Sequence, residues 1–386
     1  MEVVLVHAAD PLAPVEGGAI RFSLCLLNYL VKRGVDVTFL GVQTEDRPVQ
    51  NLPYTFVPVL KGSYDWRLFL AKLFVLAPSL QLPPTAIIQT FRLDTILPFV
   101  LFRRRNPKAM VSDEPLHVAR VAYKPIFPLV QFAHGFVEAY CMRRLDALIT
   151  DARTATHYQR RYPRTMKSNL FVMSHAGVDT DVFRPMDRGA ARAALGLNLD
   201  DPVVVFVGRI EAVKDLDFLI ASFARFQAEI PGAKLAIVGR GSEEARLKRL
   251  VRDHGPAGVL FLGEYPPDKV LEVVNCADML AICSVTEGGP MVLREALACG
   301  IPVVSNDVGD VASIITSERL GRVVPKDEKA FASAMLDVLE MVRRERATVR
   351  EECVRAAQAF TYDKVGEAMF SMYHQIQHRR DRKSGS

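Results

Sequence analysis

Short apolar runs alternate along the chain with longer stretches whose apolar positions recur at helical spacing, and the two periods separate strands from helices. Residues 2–7 read as a buried strand. Gly17 and Gly18 follow, then a helical stretch over 19–32 that stops at Gly34, then a second strand over 35–40. That order predicts a βαβ unit, because parallel strands need a crossover and a helix supplies it. Apolar runs at 54–59, 86–88, 109–111, 147–149 and 169–173 continue the series, and the polar, Ala/Gly-rich residues 187–202 predict a connector.

A second series opens at 203–207 and repeats at 234–238, 259–262, 279–282, 302–305 and 322–324. Helical stretches at 216–229, 243–254, 267–275, 290–299 and 329–344 are interleaved with it. Residues 349–378 carry a charged helical pattern long enough for a helix that returns to the first domain. The expectation is an α/β chain of two Rossmann-like, doubly wound domains facing across a cleft: residues 1–180, residues 181–360, and a C-terminal helix and tail over 361–386. In open sheets of this kind ligands sit beyond the carboxyl ends of the strands, which puts the expected site in that cleft.

Composition narrows the class. With 386 residues, 49% hydrophobic and 24% charged, the chain has ordinary globular values, which exclude wholesale disorder and fibrous repeats. Six cysteines (Cys25, Cys141, Cys276, Cys283, Cys299, Cys353) contain no Cys-x-x-Cys pair and lie mostly in apolar runs, so they read as core thiols rather than a disulfide frame or a zinc site. The segment starting at Met1 lacks the basic flank and cleavage site of a signal peptide, and a cytoplasmic location is expected. The most apolar stretch, 68–82, is broken by Lys72, Pro78 and Ser79, short of a spanning helix. Residues 1–190 carry 23 Lys and Arg against 16 Asp and Glu, and the remainder is slightly acidic. Arg103, Arg104, Arg105 and Lys108 stand near Trp66, Phe69, Phe74, Phe99 and Phe102. That mixture suits peripheral contact with an anionic membrane surface, as it suits a plain solvated helix end. No nucleic-acid-binding signature is present.

Four loops of the second series stand at strand ends and suit anions. In the first, Arg209 and Lys214 follow Gly208, and a forked guanidinium with a point-charge ammonium suits a diphosphate. Gly239-Arg240-Gly241 opens the next helix but is no dinucleotide fingerprint, since Glu244 holds the third glycine position. The third loop is a tight turn with Gly263 and Tyr265, where the tyrosine either flanks a base or packs. The fourth runs from Ser284 through Glu287-Gly288-Gly289-Pro290-Met291-Val292 to Glu295. Pro290 suits the first turn of a helix, the glycines admit close approach, and the amides that follow favour a phosphate. Glu287 and Glu295 are up to about 12 Å apart along a helix axis, comparable with a nucleotide sugar. One carboxylate then serves each end, with the phosphates between them.

Residues 174–320 resemble glycosyltransferase family 4, retaining enzymes of GT-B architecture. The resemblance rests on His175 to Pro185, on Phe206-Val207-Gly208-Arg209 with Lys214, on 236–241, on 259–263, and on Glu287 with Glu295, seven residues lying between them. Gly17-Gly18 matches the family's glycine turn near the donor phosphate. The likeness implies transfer of a hexose-type sugar from a UDP- or GDP-linked donor to a lipid-linked (polyprenyl) or glycan acceptor. Arg209 and Lys214 would then hold the diphosphate, Glu287 would face the sugar and the reaction centre, and Glu295 would bind the ribose. No cofactor beyond the donor is expected, and no metal: the two cations can act in its place.

The chain departs from the family in three places. The histidine usual after the N-domain strand is missing, since 111–115 read Val-Ser-Asp-Glu-Pro; Asp113 or Glu114 replaces it, or His117 or His134 reaches the cleft. Asp215 stands where the family has glycine after the lysine, and Asp310 follows Gly309 where a second glycine is common. Both change the expected loop shape. The competing readings are a nucleotide-sugar epimerase and, because of the missing histidine, an inactive nucleotide-sugar-binding partner subunit.

Overall fold

The chain opens on β1 (Glu2–Val6), α1 (Gly18–Lys32), β2 (Asp36–Gln43), β3 (Thr55–Lys61), α2 (Trp66–Leu76), β4 (Ile87–Thr90), α3 (Leu93–Phe102) and β5 (Lys108–Val111). α4 (Phe127–Met142), β6 (Ala147–Thr150), α5 (Ala152–Arg161), α6 (Pro163–Asn169) and β7 (Leu170–Val172) follow. These coordinates are a computed structural model, which describes residues 1–13, 18–45, 51–112, 127–173 and 176–384. The seven strands form one parallel sheet in the order β3-β2-β1-β4-β5-β6-β7. β1 is covered on both faces. Val3 and Leu5 enter one core with α1, and Val4 and Val6 enter another with Phe69, Leu73 and Phe99. Alternate residues of a strand face opposite sides, so a doubly covered strand reads as an unbroken apolar run.

The second sheet is built from α7 (Arg188–Ala194), β8 (Val203–Val207), α8 (Leu216–Glu229), β9 (Lys234–Val238), α9 (Glu244–His254), β10 (Val259–Gly263), α10 (Pro267–Cys276) and β11 (Met279–Ile282). It is completed by α11 (Met291–Ala298), β12 (Val303–Asn306), α12 (Val311–Ile314), β13 (Gly321–Val324) and α13 (Glu328–Ala357). Its order is β10-β9-β8-β11-β12-β13, again parallel. In each sheet the order reverses beside a central strand, β1 or β8, and ligands of doubly wound sheets bind at the carboxyl end of such a point.

A final helix, α14 (Tyr362–Ser384), belongs to the first of two units: Met1–Ala176 with Tyr362–Ser386, and Gly177–Thr361. Val365, Met369, Met372, Tyr373 and Ile376 are buried in the core that α1 faces. Gly366 makes the close approach work, because a Cβ there would lie 2.4 Å from the Tyr29 ring.

Several sequence expectations are corrected. The connector over 187–202 contains α7. Asp187 caps it by accepting from Ala190 N, and Arg192, fully buried, donates to the carbonyls of Cys276, Asn198, Leu199 and Asp201 and pairs with Asp278. Residues 349–378 are not one helix. α13 runs on to Ala357, with Glu345 non-helical inside it, and the chain leaves the helical path at Thr361, which bridges to Val178 in parallel. The strand expected over 169–173 is shortened by α6.

Candidate active site

The loops that leave β8, β9 and β10 are knitted by main-chain hydrogen bonds. Gly208 N donates to Val238 O at 3.0 Å, Ile210 N to Arg240 O at 2.8 Å, and Gly239 N to Gly263 O at 2.7 Å. Gly239 has φ +132°, and a Cβ there would sit 1.9 Å from Gly208 O. Its glycine is therefore required by loop-on-loop packing, and no other residue fits. Gly263 also has positive φ, +77°, but faces open space. α9 starts at Glu244, so Gly239 and Gly241 lie ahead of the helix rather than opening it.

Lys214 ends a 3-10 turn, Ala212–Lys214, and its ammonium pairs with the Glu287 carboxylate from the loop after β11. Ser284 Oγ donates to the same Glu287 oxygen at 2.6 Å. Asn306, at the end of β12, donates from Nδ2 to Ser284 O at 2.9 Å, and Val285 N donates to Val213 O at 2.8 Å. The carboxyl ends of three neighbouring strands thus hold one acid against one base. Arg209 stands exposed on the β8 loop beside Glu211. The hydroxyl and amide of Ser242 hold the Glu211 carboxyl below its usual range, helped by the Arg209 charge.

Glu295 is buried inside α11. Gly288, Gly289, Met291 and Val292 are half-buried on the approach to it. Pro290 takes the cap position with ψ 110° and not the first helical turn. Glu287 lies ahead of the helix, as its spacing from Pro290 suggests, and with 287–290 outside the helix the axial rise does not set the distance between the two acids. Tyr265 is half-buried against the core of its unit. In the other unit, Gly18 is exposed at the start of α1. Gly17, Asp113, Glu114, His117 and His175 lie outside the described residues. His134 is half-buried on α4; burial lowers its pKa, Glu138 and Asp94 oppose the shift, and Arg161 adds to it.

Both departures at family glycines have a structural account. Asp215 adopts the left-handed conformation itself, with φ 49°, which Asp tolerates better than most residues. It accepts from Phe218 N as the cap of α8 and pairs with Lys326 at 2.7 Å. The left-handed turn of a glycine is retained. Asp310 pairs with Arg294, which is fully buried in α11, donates to Pro290 O at 3.1 Å and lies 5.2 Å over the Phe360 ring. Next to it, Gly309 nests so tightly that a Cβ would lie 2.5 Å from Gly288 O. This pair fixes the β12 loop beneath the Glu287 loop. The sequence alone assigned no role to Ser284, Asn306 or Arg294. The available signal was Arg294 among the mostly apolar residues 291–298 together with an acid, Asp310, where glycine was expected.

Residues 187–358 match the family described as glycosyl transferases group 1. This stretch belongs to the group 1 glycosyltransferases. The D-inositol 3-phosphate glycosyltransferase of Mycobacteroides abscessus is 35% identical to the chain over 206 residues, 52% of this chain and 45% of that protein. Its counterpart in Mycobacterium tuberculosis is 35% identical over 207 residues, 52% of this chain and 42% of that one. The match spans about half the length of these relatives, which are glycosyltransferases and not epimerases. Among solved structures, sucrose-phosphate synthase from Thermosynechococcus elongatus has a TM-score of 0.80 at 22% identity, over 97% of this chain and 98% of that one. HepE from Anabaena, in complex with UDP, has a TM-score of 0.72 at 17% identity, over 97% and 99%. Together with the two parallel sheets, these likenesses show that the group 1 domain is part of a GT-B fold of two Rossmann-like units.

Proposed function

We propose that the chain transfers a hexose-type sugar from a UDP- or GDP-linked donor to a lipid-linked or glycan acceptor, with retention of configuration and without a metal ion. The meeting of Lys214 and Glu287 at the carboxyl edge of a group 1 domain carries this reading. Arg209 and Lys214 bind the diphosphate, joined by main-chain amides from Gly288 to Val292 and by Gly17 and Gly18. Phosphate takes Lys214 away from Glu287, which is then free to accept hydrogen bonds from the sugar hydroxyls. Glu295 takes the ribose, and Tyr265, beyond Gly239 and Gly263, flanks the base. Asp113 serves the acceptor side.

The bond from the anomeric carbon to the diphosphate oxygen breaks while the acceptor oxygen bonds to that carbon on the same face. The acceptor proton leaves with the diphosphate. The two cations stabilise the charge that develops on the leaving group. UDP in the Anabaena neighbour makes uridine the first base to try.

The test is a thermal-shift screen of nucleotide sugars followed by measurement of nucleoside diphosphate release. A true donor raises the melting temperature because it binds the folded state alone. Arg209→Ala and Lys214→Ala should each cut release by about a hundredfold or more while the unliganded protein stays folded, and EDTA should leave the rate unchanged. Full activity in both variants defeats the assignment. Binding without any release leaves a nucleotide-sugar-binding subunit instead.

A further inference from the structure

The first unit exposes a concentrated apolar surface. Tyr64 is 61% exposed, Leu68 46%, Val75 79% and Phe102 49%, with Trp66 also exposed. α2 buries Phe69 and Leu73. At a helical period, Leu68, Ala71 and Val75 fall on the opposite side, flanked by Arg67 and Lys72, and all five are exposed. A surface helix ordinarily carries polar residues on that side. α2 carries no acidic residue, and Asp65 before it is engaged as its cap, accepting from Arg67 N and Leu68 N.

The neighbouring cations are placed along the same surface. Arg103 reaches from the end of α3 to the carbonyls of Ala77 at 2.6 Å, Pro78 at 3.0 Å and Leu80. This fixes the exposed Arg104 and Arg105 beside the end of α2 that bears Val75. At the other end, the Arg92 guanidinium lies 5.3 Å from the Trp66 ring centroid. Phe69 and Phe99, which the sequence suggested for such a surface, are buried and do not take part.

We propose that the outward side of α2, with the edge from Phe102 to Arg105, lies on an anionic lipid bilayer. Leu68, Val75 and the exposed rings enter the acyl boundary, and Arg67, Lys72, Arg104 and Arg105 meet the headgroup phosphates. A second copy of the chain fits this surface poorly. A twofold contact presents the same patch from both sides and would set these cations against one another. Among the described residues no helix is long and apolar enough to cross a membrane, so the contact is peripheral. It does not depend on the donor site.

The experiment is co-sedimentation of the full chain with phosphatidylcholine vesicles, with and without about a third of phosphatidylglycerol, at low and high salt. The chain should pellet with the anionic vesicles, less so at high salt, and stay in solution with the neutral ones. Arg104→Ser with Arg105→Ser should weaken binding about twentyfold, and Leu68→Glu with Val75→Glu at least about tenfold. Both variants should keep the wild-type melting temperature and donor binding. Equal binding to neutral vesicles, no vesicle binding, or full binding by the Leu68/Val75 variant overturns the proposal. So does a wild-type dimer that this variant renders monomeric, which gives the surface to a second copy.

Discussion

Lys108 is a buried base held at the start of β5, where its ammonium donates to Asn106 O at 2.7 Å. Burial lowers its pKa from 10.5 to about 8; Asp146 opposes the shift and Arg380 adds to it. The unfolded chain keeps this proton until near 10.5, whereas the folded chain releases it near 8. Between those values the unfolded state binds more protons, so the residue's contribution to stability rises with pH across that window. Below it the folded state carries the whole burial cost, on the order of 3 kcal/mol. Lys108→Met removes this dependence. The wild-type minus variant difference in unfolding free energy should climb as urea titrations move from neutral pH to about pH 10, and a flat difference would show that the charge is better solvated than its burial implies.

At the scale of elements, the informative position is the junction of the β8 loop with α8. Asp215→Ala loses the cap and the Lys326 pair and leaves a Cβ on left-handed backbone, whereas Asp215→Gly loses the same contacts and relieves the backbone. The alanine variant should therefore be less stable than wild type by about 2 kcal/mol and the glycine variant by about 1 kcal/mol. Thermal unfolding tests the order, and equal losses would remove the conformational argument. Elements buried on both sides were legible in the sequence: β1, β8 and β11 read as apolar runs because no face of theirs meets water. The motif residues Lys214 and Glu287 were legible too, since each follows such a run. What stayed hidden depended on partners distant along the chain. α7 read as a connector because Arg192 counts as polar until Asp278 and the Cys276 carbonyl are brought beside it. Nothing local in 349–378 announces the break at Thr361, which is set by its pairing with Val178 some 180 residues earlier. Ser284 and Asn306 likewise gain a role only when β11 and β12 pair in register.

For the molecule as a whole, the chain passes through the first unit twice. Met369, Met372, Tyr373 and Ile376 of α14 are all but inaccessible, and Tyr373 Oη donates to Gln89 Oε1 at 3.2 Å. Deleting one such side chain from a core commonly costs about 2 to 5 kcal/mol, so four together cost as much as the roughly 5 to 15 kcal/mol by which a domain is stable. A chain stopped after Thr361 should keep a folded Gly177–Thr361 unit, whose core draws on its own residues, and lose cooperative structure in the first. Hydrogen exchange followed by proteolysis would show this as protection confined to the second unit. Retained protection of β1 and β4 would mean that α14 is dispensable.

The same arrangement sets an order of events on the ribosome. Most proteins can settle their amino-terminal portion while the remainder is still being made. Here residues 1–176 must wait, with the surface that α14 covers still open, until 177–361 and then 362–384 have been translated. The nascent chain thus leans on chaperones for residues 1–176 while 177–361 are being made, and a stop codon just after Thr361 should act on residues 1–176 rather than on the residues nearest to it.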